Sequence, residues 1–543
     1  MRRWLPAVLV VGLLAGCAIP SSGPVRASDT RVDEMAGAVT VPQGPRPGAG
    51  PSTVVEGFLA AGEAGLTGDF AVARQFLDPV GSKSWRPLAG ATVTSATTLE
   101  RTTDHQVVAK VTVVGQVDSH GVFTERSGEP DTVLFDLVKV GGEWRITDPP
   151  PGLVVTERVF EQQYRRTPVY FLTPDHTQVV PDVRFFPARN LASSVVAALL
   201  AGPSPWLRGA VVSAVPDGVR LAPQGVLIGD GGVAQVFLEP ASTVRSAPGL
   251  DLMVEQITRS LDIGQVRSVQ VRAGSDPALA GSDGALGPRE PKAPVLVVDD
   301  ELFSYRPDLV RVDGVGSLAG LHSLAVSDDQ DLVVALSGTD DMVAVPRGTA
   351  PPRTLLTEPD LVRPSADRYG LAWTAPGVVG GGVYAVDDTT AVVLHAPWLD
   401  GRTVHALRVS GEGSRLVVAS SGPDGLVVQV CGIVRDAGMV PLSLTAPVQV
   451  GPAVTVADQI VWSDPQTVVV MGRADDVTTL TRVPVSGVSE VLAPVPDALV
   501  VAADGVGASL VVATAKGALL RHDGSTWVWV GPDEKVRDPA YPG

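Results

Sequence analysis

ALRVSGEGSRLVVASSGPDGLVVQVCG, residues 406–432, sets a strand, a Ser/Gly turn, a second strand of mostly branched residues, a polar turn and a third strand. The same order returns in SLAVSDDQDLVVALSGTDDMVAVPRG (323–348), RPSADRYGLAWTAPGVVGGGVYAVDD (363–388), QIVWSDPQTVVVMGRADDVTTLTRVP (459–484) and VVAADGVGASLVVATAKGALLRHDG (500–524). The matching turn residues Ser327, Ser365, Ser410, Ser463 and Asp504 recur roughly every 40–50 residues, the spacing of four-stranded propeller blades. Residues 294–543 therefore read as an all-β propeller of about five to seven blades. Ring closure is expected to pair a strand near LFSYRP (302–307) with the last strands around STWVWVG (525–531), which removes exposed sheet edges.

Upstream the pattern changes, and a chain of 543 residues has room for about three domains. Residues 275–293 (SDPALAGSDGALGPREPKA) have the composition of a linker. In 52–166, Val55, Phe58 and Leu59 share one helical face and Phe70, Ala73, Phe76 and Leu77 another; strands follow, with Gly141-Gly142 as a hairpin turn. Helices before an antiparallel sheet predict an α+β domain of the nuclear-transport-factor-like kind, serving as a scaffold. Residues 167–274 run strand, helix, strand, strand, helix, strand. Asn190 is the candidate N-cap of the first helix, Gly202-Pro203 ends it, Asp230-Gly231 marks a hairpin, and Met253, Ile257 and Leu261 share a face. The run SSVVAALLAGPSP, the VPDGVRL turn, the hairpin ending VAQVFL and the step ITRSLDIGQVRSVQV resemble the GerMN domain. That resemblance implies a second α+β domain, a non-catalytic interaction module of bacterial envelope and sporulation proteins.

The N-terminus reads as an export signal. Arg2 and Arg3 precede an apolar run, Trp4 to Leu14, that is too short for the roughly 20 residues of a membrane-spanning helix. Leu14, Ala15 and Gly16 before Cys17 resemble a bacterial lipobox. This implies a signal peptide at 1–16, cleavage between Gly16 and Cys17, and S-diacylglyceryl and N-acyl groups on Cys17, whose thiolate is the nucleophile such chemistry needs. Residues 17–51, rich in Pro, Gly and Ser, read as the acylated cysteine and a flexible tether. The twin-arginine export motif is incomplete, so the Sec or Tat route stays open.

The formal charge of −17 becomes −19 once Arg2 and Arg3 leave with the signal. A nucleic-acid partner, which requires a basic footprint, is not expected. With Cys17 acylated, Cys431 has no partner and reads as a buried strand residue. His105, His120, His176, His322, His395, His405 and His522 are scattered without HExxH or helical metal spacing, so neither metal nor cofactor is expected. Neither G-x-S-x-G nor a P-loop occurs, and no catalytic residues are assigned. The acidic runs Asp299-Asp300-Glu301, Asp328-Asp329, Asp340-Asp341, Asp387-Asp388 and Asp475-Asp476 nearly all fall at blade turns, where aspartate bonds its own backbone. HDGSTW (522–527) resembles a sialidase Asp-box but departs at Arg521 and Ser525, and reads as a hairpin turn. Trp373, Trp398, Trp462, Trp527 and Trp529 either pack between blades or line one face for sugars or a protein.

Lipobox, tether, α+β domain, GerMN-like domain and propeller, in that order, resemble the actinobacterial lipoprotein LpqB family. The resemblance implies a non-enzymatic, lipid-anchored protein on the extracytoplasmic face of the cell membrane. It also implies association with the MtrB sensor histidine kinase, and a part in two-component signalling linked to cell envelope and division. The alternative is a propeller that binds or processes wall glycan, with acids, histidines or tryptophans converging at one mouth of the ring.

Overall fold

The computed structural model describes residues 43–543 apart from 275–277, 280–285, 287, 288, 307, 453, 454, 475 and 476. Leu14, Ala15, Gly16, Cys17 and the acid pair Asp475-Asp476 lie outside the described residues. Pro42–Gly543 forms one compact unit.

The first domain is a helix, Pro51–Gly65, laid on a five-stranded sheet. Proline at the first helical turn costs no hydrogen bond there, and Val54, Val55, Phe58 and Ala61 form the buried face. The strands run in the order Glu143–Thr147, Phe123–Val140, Gln106–Val117, Ala91–Thr103, Leu153–Thr156, antiparallel except for the last pair. Gly141 and Gly142, at φ 61° and 88°, make the expected two-residue turn between Val140 and Glu143. This domain takes in residues before the expected boundary at Ser52: Gly48 N–H donates to Glu143 at 2.9 Å, so the described end of the presumed tether belongs to it.

The second domain pairs Tyr164–Leu172 with Val179–Pro187, then places helices Leu191–Ala201 and Leu250–Ser260 against the sheet Ser268–Ala273, Val233–Glu239, Arg220–Ile228. The strand Val179–Pro187 is missing from the sequence reading, because its two prolines and Asp182-Val183-Arg184 interrupt the branched pattern. The first strand starts at Tyr164, so an expected boundary at 166/167 cuts through it. Asn190 stands at the N-cap position as read, its carbonyl accepting from Ser194 N at 3.0 Å, but it is left-handed, φ 58°, and makes no side-chain cap hydrogen bond. Met253, Ile257 and Leu261 are buried as expected.

The remainder is a propeller with six blades among the described residues. Its innermost strands are Leu321–Val326, Ser365–Ala366, Thr403–Val409, Gln459–Asp464, Ala498–Ala503 and Arg537–Ala540, which neighbour one another around the ring in that order. We number the closing blade 1 and the others 2–6 along the chain. Blade 1 combines the C-terminal strand Arg537–Ala540 with Val295–Val298, Glu301–Tyr305 and Leu309–Arg311. Closure thus joins both ends of the domain, but at Val295–Val298 and Arg537–Ala540 rather than at 302–307 and 525–531. Trp527–Trp529 is instead the outermost strand of blade 6. Described parts of the presumed linker 275–293 are docked: Leu286 is buried and accepts from Arg259 at 2.7 Å, while Arg289 and Lys292 both hold Asp328.

Candidate interaction scaffold and channel

The turns after the innermost strands carry the repeat's chemistry. Ser327 Oγ donates to Asp329 at 2.5 Å and accepts from Leu332 N at 3.0 Å. Ser410 Oγ accepts from Arg415 N at 3.1 Å, and Asp504 accepts from Val506 N and Gly507 N at 3.0 and 3.2 Å. Blade 3 corrects the register. Ser365 lies within the strand, where its Oγ accepts from Val409 N, and the turn acceptor is Asp367, bonded by Tyr369 N and Leu371 N at 2.9 Å each. Asp367 also accepts from Trp373 Nε1 at 2.8 Å and Arg435 Nη2 at 2.7 Å, with both charged side chains fully buried. In blade 4, Glu412 and Arg415 pair at 2.6 Å under the ring of Trp462. Burial by itself would raise the Glu412 carboxyl, but the charge and hydrogen bonds of Arg415 and the Ser410 hydroxyl outweigh it and hold it below the usual carboxylate range. Asp504 goes the other way: burial pushes its carboxyl up, and Oδ2 is buried without a partner among the described residues.

The face bearing these turns is where the other domains dock. Asp175 of the second domain accepts from Arg368 at 2.9 Å and from the Tyr369 hydroxyl at 3.3 Å in blade 3. Arg166 donates to Ser486 O at 2.6 Å and Gln466 Oε1 at 2.9 Å in blade 5. Thr445 Oγ1 of blade 4 donates to Trp206 O, and a Cβ on Gly432 would meet that of Ala210 at 2.6 Å. Beneath these polar contacts the hydrophobic core of the second domain is continuous with blades 4 and 5, running from Val195, Leu199 and Trp206 to Val417, Val430 and Trp462. The first domain joins through Phe123 N–H to Ser486 Oγ at 2.9 Å, Ser489 to Glu125, and a cluster of Phe123, Phe160, Tyr164 and Phe185 with ring centroids about 5 to 6 Å apart. None of this docking was visible in the sequence, since valine-rich faces look the same whether they pack inside one domain or across two.

The ring's axis is a narrow channel of about 20 Å³, lined by residues of five innermost strands and by Arg363 and Pro364 just before the sixth, Ser365–Ala366. Away from the docked domains it opens into a mouth of about 290 Å³ bordered by His322, Ser323, Asp360, Arg363, Asp458 and Gln459. The opposite end is crossed by Arg289, which pairs with Asp328 and donates to Pro542 O at 3.2 Å.

The remaining sequence candidates do not converge. Cys431 is buried in blade 4, and burial pushes its thiol up, away from reactivity. Asp340 accepts from Asp360 N, Asp387 from Thr389 N and Thr390 N, and Asp300 pairs with Arg537 at 2.6 Å. Asp523 accepts from Ser525 N and Thr526 N, a hairpin turn as read. Among the described residues no three of His, Cys, Asp and Glu are grouped to hold a metal. Trp373 and Trp462 are core, Trp398 and Trp527 are partly buried, and Trp529 is 55 % exposed on an outer edge, so the five tryptophans line no common face.

Three family descriptions match in chain order: "Lipoprotein LpqB, N-terminal domain" over 44–161, "Sporulation and spore germination" over 168–278, and "Lipoprotein LpqB beta-propeller domain" over 303–542. The chain belongs to the LpqB lipoprotein family. A Lipoprotein LpqB of Bifidobacterium longum is 26% identical over 80% of this chain and 80% of its own. That of Thermobifida fusca is 26% identical over 85% and 86%, and that of Cutibacterium acnes 32% over 46% and 43%. Among solved structures, a TolB from Agrobacterium tumefaciens is similar at 10% identity and TM-score 0.30, covering 46% of this chain and 91% of that one. A Nidogen/Laminin complex chain is similar at 11% and 0.31, covering 46% and 97%. Membership of the LpqB family implies a membrane-anchored lipoprotein, and no helix among the described residues is long and apolar enough to cross a membrane.

Proposed function

We propose that this LpqB lipoprotein is a non-enzymatic scaffold, held by acyl chains on Cys17 at the extracytoplasmic face, that presents one rigid three-domain body to an envelope partner. The MtrB sensor kinase's outer part is the partner this reading names. The observation that supports it best is the core shared by the second domain and blades 4 and 5, which fixes the propeller's orientation and leaves its channel mouth free. Each buried acyl CH₂ contributes about 0.8 kcal/mol, so two or three chains hold such a protein stably. Confinement to the membrane raises effective concentration, and modest affinity then gives steady occupancy.

The test is co-purification from detergent-solubilised membranes with wild-type chain and with Cys17→Ser. Recovery of the kinase with wild type and its loss with the variant is expected. No recovery with wild type overturns the named partner, and equal recovery with both overturns the anchor's role in binding.

A further inference from the structure

Arg363 and Arg408 both line the channel of the propeller, Arg363 also at its mouth. Arg363 pairs with Asp538 at 3.4 Å, and Asp538 is shared with Arg537 and with Ser323 N. At the docked end, Asp328 is shared between Arg289 and Lys292. Asp538 and Asp328 are thus already committed, and of the two carboxylates at the mouth, Asp360 and Asp458, the latter accepts from Arg473 N at 2.8 Å. The Arg408 guanidinium has no hydrogen-bond or ion-pair partner among the described residues, although its backbone carbonyl accepts from Trp462 Nε1 at 3.2 Å. Burial, together with the charges of Arg363 and Arg289, lowers its pKa to about 10, far enough above neutrality that it remains a cation. An unneutralised guanidinium inside a narrow channel, in a chain of net charge −17, is the reverse of what composition favours. Arg408 is partly exposed and none of its nitrogens is buried without a partner, so its N–H groups face the open channel, where a planar guanidinium fork matches a carboxylate in particular.

We propose that the propeller channel is a binding site for one small anion of carboxylate or halide size, held by Arg408 and Arg363 and admitted through the mouth at His322, Asp360 and Asp458. Size selects the ligand class. The narrow section of about 20 Å³ has room for a group on the order of one water molecule, which suits a single halide or one carboxylate oxygen reaching in from the mouth. The mouth of about 290 Å³ can take the rest of a small organic acid or an acidic side chain. Arg289 closes the far end, so ligand enters and leaves by the face opposite the docked domains. A free anion and an acidic side chain share this chemistry.

The test uses the full mature chain in detergent, with bromide, acetate and a short glutamate-containing peptide as probes at constant ionic strength. In crystals soaked in sodium bromide, anomalous scattering is expected to place bromide within hydrogen-bond reach of Arg408. In solution, acetate or chloride replacing gluconate is expected to raise the melting temperature saturably, and Arg408→Gln to weaken the half-saturation concentration by about tenfold or more. Arg521→Gln, on the exposed side of the strand Leu519–His522 in blade 6 and outside the channel lining, is the control and should leave it unchanged. Competition by the peptide would assign the site to a partner's acidic side chain, and saturation by acetate alone would assign it to a free anion. Arg408→Gln should still fold, because it removes a repulsive charge. A saturable rise equal in wild type and Arg408→Gln, or no bromide in the channel, would overturn the proposal.

Discussion

Asp367 shows how much one side chain carries. It caps the blade 3 turn with two backbone N–H groups and neutralises Arg435, whose guanidinium also stacks 4.5 Å from the Tyr369 ring. Asp367→Ala leaves that cation buried and unpaired, and should cost about 3–5 kcal/mol. Ser365→Ala, at the position that sequence alignment placed in the turn, should cost about 1 kcal/mol, the worth of one hydrogen bond to Val409 N. Denaturant unfolding of the two variants distinguishes the registers. The sequence misled here because serine recurs in the other turns, whereas the physical requirement is an acceptor for the turn's N–H groups, which aspartate meets two residues further on. Asp504 allows a test with pH. Its carboxyl is raised in the folded state, so folding favours the protonated form. That contribution is fully present below the unfolded value of about 3.9 and is lost as pH rises through the raised one. Asp504→Asn should therefore melt higher than wild type at pH 7, with the gap closing towards pH 4 in a thermal-melt series.

At the scale of elements, ring closure is the vulnerable step. Arg537–Ala540 supplies the innermost strand of blade 1, and Ala540 and Tyr541 are 3% and 2% exposed. Deleting residues 536–543 should expose the edge of Val295–Val298, lower the melting temperature by on the order of 10 °C and produce aggregates on size exclusion. Five of the six blades were legible because each is a contiguous run of strand, turn and strand. Blade 1 was not, since its strands come from opposite ends of the domain and no repeat unit contains them. The segment holding Arg289 and Lys292 was hidden for a related reason: its Gly/Ser/Pro composition predicts a linker, and the two cations that pin it to Asp328 do not alter that composition. Burial would raise the Asp328 carboxyl, but hydrogen bonds and charge from Lys292 and Arg289 prevail and lower it. The clamp is therefore present above about pH 3.9 and lost as pH falls through the lowered value. Asp328→Asn should expose the segment 289–293 to faster hydrogen exchange at neutral pH.

Across the whole molecule, the second domain and the propeller should unfold together, because their hydrophobic core is common. Gly432 sits where they meet. Gly432→Leu would force a side chain against Ala210 and Trp206, at a cost of about 1–3 kcal/mol, and should split one calorimetric transition into two. A single unchanged transition would mean the contact is dispensable. Domain order and fold class could be read from motifs. The fusion of the domains could not, since interface valines on blades 4 and 5 carry the same pattern as interior ones. The scaffold reading rests on that rigid body being held at a membrane by Cys17. Metabolic labelling with a fatty-acid probe, followed by membrane fractionation, tests this most directly. Label on the wild-type chain in the membrane fraction, with none on Cys17→Ser, is expected; an unlabelled wild type, or equal label on both, would contradict it.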